Sequence, residues 1–214
     1  ILLDEAGVTA TENAIMGAVT ARGITHLRNA ASEPHVQELC LLLNRMGARI
    51  DHVGSNVLRI EGVPKLSGAE FTIGPDYMEV VSFIGAAAVT RGSIRIRRAG
   101  PQYLGMIRMT FNKFGVDWTM DGDDVVVSAE QRLVVEPELG GAIPEVRVMP
   151  WPAFPTDLMS IAIVTATQSR GSVLFHDWMY PSRMFFTDKL VAMGAQIVLC
   201  DPHRCIVQGP SKLY

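Results

Sequence analysis

A mixed α/β architecture built from repeated βαβαββ units is predicted by three observations. Three stretches of the chain follow one plan, paired glycines recur in each at near-equal spacing, and each stretch alternates helical with strand periodicity. Each opens on a small acidic motif: Thr11-Glu12, Pro75-Asp76 or Thr156-Asp157. An apolar helix follows in each, over Ala14–Val19, Phe83–Val89 and Ile161–Val164, and runs to an Arg-Gly pair at Arg22-Gly23, Arg91-Gly92 and Arg170-Gly171. The glycine suits a left-handed helix end and the arginine suits the negative end of the helix dipole.

A short strand comes next. In Ser93-Ile94-Arg95-Ile96-Arg97 the isoleucines alternate with arginines, so one face is apolar. The second helix of each unit ends at Gly47, Gly115 or Gly194, which lie 24, 23 and 23 positions beyond the first glycine. Hairpins close the units, with turns predicted at Gly54-Ser55-Asn56, Asp121-Gly122-Asp123 and Asp201-Pro202-His203. A leading strand is expected before each first helix, at Ile1–Leu3, Glu70–Ile73 and Val146–Val148. The turn-rich stretch 62–68 reads as a linker. Residues 130–155, with five of the chain's prolines between Pro137 and Pro155, read as an irregular loop or insertion. Met106, Met109, Trp118 and Met120 are expected in the core of the second unit.

Composition narrows the function classes. Of 214 residues, 48% are hydrophobic and 19% charged, a balance that supports packed cores. Net charge is −3 with no basic tail, which disfavours a nucleic-acid partner. No apolar run reaches the ~20 residues of a membrane helix, and no secretory leader is visible. Three cysteines form no disulfide framework, so a reducing cytoplasm is expected. The opening Ile1-Leu2-Leu3 reads as a truncated start. Cys200, His203 and Cys205 make an incomplete zinc set at non-standard spacing, so no metal is expected and a hairpin turn is the simpler reading. Arg91, Arg95, Arg97 and Arg98 read as the solvated face of a strand.

The strings Ala10-Thr11-Glu12-Asn13, Arg28–Pro34, Leu43–Ala48, Ile60–Val63 and above all Pro152-Ala153-Phe154-Pro155-Thr156-Asp157 resemble the enolpyruvyl transferase superfamily, in the branch whose acceptor is UDP-N-acetylglucosamine. The resemblance implies inside-out, barrel-like α/β domains of three βαβαββ units each. Residues 1–63 would be the last unit of one domain and 64–214 two units of the other. It also implies transfer of the enolpyruvyl group of phosphoenolpyruvate to the sugar 3-hydroxyl, with no cofactor, at the first committed step of peptidoglycan synthesis.

Carried over residue by residue, the resemblance makes Asp157 the base on the 3-hydroxyl and Arg183 a helper for phosphate. It places Met179, through its backbone, and Thr156 on the substrate. It puts Glu5-Ala6-Gly7-Val8 against the diphosphate and uridine. The plainer alternatives are a helix cap for Asp157, a surface ion pair for Arg183 and an ordinary strand-to-helix turn for residues 5–8. The chain departs from the family pattern at Glu5, Gly7, Tyr77 and Trp151, where lysine, serine, arginine and histidine are usual. The family's lysine-asparagine pair, reactive cysteine loop and later aspartate-arginine motif fall outside these residues. The chain alone is therefore expected to lack the full reaction. Two other functions remain open: a related transferase acting on shikimate 3-phosphate, and a non-catalytic module of the same repeats.

Overall fold

The computed structural model describes residues 1–214, which divide into two compact units. The first comprises residues 1–74 with 150–152, the second 75–149 with 153–214.

In the first unit, helices α1 (Val8–Ala18) and α2 (Pro34–Arg45) accompany strands β1 (Ile24–Arg28), β2 (Arg49–Asp51) and β3 (Val57–Glu61). The sheet is antiparallel in the order β1-β3-β2. Alternation sends Leu58 and Ile60 of β3 inward, where they meet Leu27, Ile15 of α1 and Cys40 of α2. Burying each such side chain contributes ~1.5–3 kcal/mol. The expected leading strand shrinks to one parallel bridge between Leu2 and Arg28. Pro34 opens α2, where its missing N–H costs nothing.

The second unit holds two copies of the same plan. In one, α3 (Tyr77–Val89), β4 (Ile94–Ile96), α4 (Gly105–Asn112), β5 (Thr119–Asp121) and β6 (Asp124–Val127) form a sheet of order β4-β6-β5. The other has β7 (Glu145–Arg147), α5 (Met159–Ala166), β8 (Gly171–His176), α6 (Thr187–Ala192), β9 (Gln196–Asp201) and β10 (Arg204–Gly209), with sheet order β7-β8-β10-β9. β7 runs parallel to β8 and the remaining pairs are antiparallel. An edge contact from Phe111 to Phe114 at 5.7 Å and a tilted one from Phe114 to Phe175 at 5.8 Å join the cores of the two copies.

Three expectations are corrected. Glu70–Ile73 forms no strand. Its carbonyl at Glu70 accepts from the Arg45 guanidinium and the neighbouring Gly74 amide donates to Glu38, so side chains stand in for a partner strand. In the copy that contains α3, the left-handed residue after that helix is Arg91 (φ 53°), one place before the predicted glycine; the Gly92 amide then reaches back to the Ala87 carbonyl at 2.9 Å. Only Trp118 of the expected core quartet is buried; Met106, Met109 and Met120 are exposed.

Candidate active site

Pro155 supplies the geometry at the head of α5. Its φ of −75° and ψ of 146° put it at the cap position, and Thr156–Leu158 form a single 3-10 turn running into the helix. Leu158 and Met159 are buried and fix that turn on the core, which leaves Asp157 facing outward with its side chain about half exposed. Asp157 makes no cap. Its Oδ1 accepts instead from Arg183 Nη2 at 2.8 Å.

Arg183 begins a second 3-10 turn, Arg183–Phe186, ahead of α6. Met184, fully buried, anchors it. The Arg183 amide donates to the Tyr180 carbonyl at 3.1 Å and its guanidinium lies over the Tyr180 ring at 5.2 Å. A carboxylate and a guanidinium are thus presented side by side from two separate elements, each with a rigid base. Exposed pairs of this kind contribute only ~0.2–1 kcal/mol, so either partner is cheaply released to another group.

Thr156 and Met179 adjoin this pair, and both are tied to a buried acid that the sequence motifs do not include. The Thr156 hydroxyl donates to Asp177 Oδ2 at 2.5 Å, and the Met179 amide donates to Asp177 Oδ1 at 3.0 Å. Asp177 is fully buried. A signal for it was present, because the inward alternation Val173, Phe175 continues to position 177. An acid at an inward position is uncommon and calls for partners.

Residues 5–8 belong to the first unit and do not join this cluster's unit. Glu5 is exposed, and Gly7 caps α1 with extended backbone (φ −78°) and no side-chain hydrogen bond. The helix starts at Val8, so Glu12 sits in its second turn and is no counterpart of Asp76 or Asp157. Thr11 pins the turn: its hydroxyl donates to the Gly7 carbonyl at 2.8 Å and accepts from the Ala31 amide at 2.9 Å. Open amides in a first helical turn suit an anion, whereas Asp4 and Glu5 oppose one. Ala6 also lines a small cavity of about 140 Å³ with Asn29, Ser32, Glu33 and Asn56. Glu33 Oε2 is buried there with no hydrogen-bond partner.

A wider cleft of about 510 Å³ in the second unit is lined by Asn112, Asp117, Trp118, Gln131, Arg132 and others, and touches neither Asp157 nor Arg183. Two of its three acids are engaged already, Asp117 with Arg108 and Glu136 with Arg132. Volume therefore points away from the charged pair. His203 Nδ1 faces the Asp177 carbonyl at 2.8 Å and Cys205 is buried, so the two are committed to the hairpin and its core.

Relatives named UDP-N-acetylglucosamine 1-carboxyvinyltransferase are 57% identical in Treponema denticola, 54% in Bradyrhizobium diazoefficiens and 49% in Bacteroides thetaiotaomicron. The matches cover 100%, 100% and 98% of this chain, but 50%, 49% and 48% of those proteins. The chain thus spans about half the length of the curated relatives it matches. The crystal structure of the enolpyruvyl transferase NikO from Streptomyces tendae superimposes with a TM-score of 0.81 over 96% of this chain and 47% of its own; at 20% identity this speaks to the fold. The model of the family described as EPSP synthase (3-phosphoshikimate 1-carboxyvinyltransferase) matches residues 1–213, and the chain belongs to that family of enolpyruvyl transferases.

Proposed function

We propose that this chain carries part of the site that transfers the enolpyruvyl group of phosphoenolpyruvate to the 3-hydroxyl of UDP-N-acetylglucosamine, the first committed step of peptidoglycan synthesis, in the cytoplasm. The observation that carries the reading is the half-exposed Asp157–Arg183 pair, held on two anchored turns. The name borne by relatives at 49–57% identity supports the choice of acceptor. In this reading residues 1–63 are the last unit of one domain, 64–214 are two units of the other, and 130–155 are an irregular loop. The remaining catalytic groups come from the rest of the parent chain.

The chemistry follows from the pair. The sugar hydroxyl must lose a proton as its oxygen bonds to C2 of phosphoenolpyruvate, while C3 gains a proton; phosphate then leaves C2 with the bonding electrons, and C3 returns a proton. Asp157 takes the hydroxyl proton. A positioned carboxylate of this kind contributes ~10²–10⁴-fold. Arg183 exchanges Asp157 for the phosphate, which accepts two parallel N–H bonds and disperses its charge. That exchange also frees the base. The Met179 backbone contacts the acceptor, Thr156 adjoins it with its hydroxyl given to Asp177, and residues 5–8 approach its diphosphate and uridine. Glu5 there opposes negative charge, so the amides of Ala6, Gly7 and Val8 carry that contact.

The family model's own description favours a second reading, with shikimate 3-phosphate as acceptor. One assay separates them. The full-length parent is given phosphoenolpyruvate with either acceptor, and phosphate release is followed. The expected result is turnover with the UDP-sugar and a loss of at least ~10²-fold in kcat for Asp157→Asn. Preference for shikimate 3-phosphate selects the second reading, and an unimpaired Asp157→Asn protein removes Asp157 from the chemistry.

A further inference from the structure

Asp177 ends β8 as a fully buried carboxylate. Burying an ionised carboxyl is costly unless hydrogen bonds replace its water. Three donors do so: Thr156 Oγ1 at 2.5 Å on one oxygen, and the amides of Met179 and Tyr180 at 3.0 and 3.2 Å on the other. The residue is also pinned through its backbone. Its amide donates to the His203 carbonyl and its carbonyl faces His203 Nδ1, both at 2.8 Å.

These donors come from two segments. Thr156 is the residue before Asp157, and Met179-Tyr180 lead to Arg183, whose amide rests on the Tyr180 carbonyl. One buried carboxylate therefore clamps the turn carrying the proposed base to the loop carrying the proposed phosphate ligand. We infer that Asp177, acting through Thr156, is a positioning residue for the Asp157–Arg183 pair. The inference rests on the function proposed above. Charge-assisted hydrogen bonds are short and directional, so one such atom sets two turns more tightly than apolar packing does. Misplacing reacting groups by ~1 Å costs ~10²-fold in rate.

The test uses the full-length parent with phosphoenolpyruvate and UDP-N-acetylglucosamine. Thr156→Val, Asp177→Ala, the double variant and Thr156→Ser are compared, with thermal melts establishing that each is folded at the assay temperature. We expect Thr156→Val and Asp177→Ala each to lower kcat by about 10–100-fold, with each KM moving less than about 3-fold. The double variant is expected to be no worse than the poorer single, since the two residues act as one unit. Thr156→Ser, which returns the hydroxyl, recovers most of what Thr156→Val loses.

Folded single variants with unchanged kcat overturn the inference, as does a Thr156→Val defect confined to the KM of the UDP-sugar, which would make Thr156 a direct substrate contact. If Asp177→Ala does not fold, the Val and Ser variants at 156 decide alone. An active Asp157→Asn protein refutes the functional reading itself; an inactive one beside an unimpaired Thr156→Val refutes only the clamp.

Discussion

A carboxylate at the head of a helix has two competing sets of partners, the open amides of the first turn and any cation within reach. Asp76 takes the first course. It occupies the cap position of α3, and its Oδ1 accepts from the Met78 and Glu79 amides at 2.8 and 3.4 Å, an arrangement that contributes ~1 kcal/mol. Asp157 is displaced by the proline: Pro155 holds the cap position, so the acid lies within the turn and meets Arg183. Sequence likeness between Pro75-Asp76 and Thr156-Asp157 thus conceals a shift of two positions relative to the cap. The same scale governs the thiols. Cys200 is exposed on β9 while Cys40 and Cys205 are buried, and burial pushes their pKa values up to about 11 and about 12. Since the thiolate is the nucleophile, maleimide at about pH 7.5 should label one thiol per native 214-residue chain and three after denaturation. Cys200→Ser should abolish native labelling, and rapid native modification of a second thiol would contradict this burial.

At the scale of elements, much was legible because local chemistry dictates it. All three hairpin turns fall where glycine, aspartate and asparagine were read as turns, and the second helices end at their predicted glycines. The leading strand at 70–73 was not legible, because a strand exists only against a neighbour, and here Arg45 and Glu38 take the polar backbone groups instead. Asp177 was missed for a related reason: alternation assigns it inward, but only the fold brings Thr156 to it. Glycines show the same dependence on context and give opposite predictions. A Cβ at Gly62 would lie 1.5 Å from the Ala21 carbonyl oxygen, and one at Gly209 would lie 2.4–2.9 Å from the carbonyl oxygens of Ser169, Ala166 and Thr167. Backbone cannot yield as a side-chain tip does, so Gly62→Ala and Gly209→Ala should each cost about 3 kcal/mol or more. Gly17, exposed within α1, has nothing within 4 Å of its Cβ position. Gly17→Ala should therefore add about 0.4–1 kcal/mol by lowering the entropy of the unfolded chain. Urea denaturation of the three variants checks both signs; a stabilised Gly62→Ala would show that the end of β3 is looser than described.

Across the whole molecule, opposite charges are distributed as pairs over all three repeats, and this sets how the protein answers acid. The Arg49 guanidinium, helped by Arg59, holds Glu61 below the usual carboxylate range. Arg108 does the same for Asp117, the Arg98 amide and then Arg95 for Asp124, Lys113 for Glu138, and Arg204 for Asp201. Each folded-state pKa lies below its unfolded value, so in the acid range the unfolded chain binds more protons than the native one. Stability from these pairs is then complete above the unfolded values of about 4 and is lost as pH falls through the lower, native values. Each exposed pair contributes little alone, but the shifts share one sign and one window, so they add. Thermal melts should show a nearly constant Tm from about pH 8 to about pH 6 and a steep decline below about pH 4. Arg108→Gln should raise the Asp117 pKa toward its ordinary value, removing that residue's part of the acid slope while leaving the rest. A Tm that held level or rose on acidification to about pH 3 would mean that these carboxylates are no better partnered in the native state than in the unfolded chain.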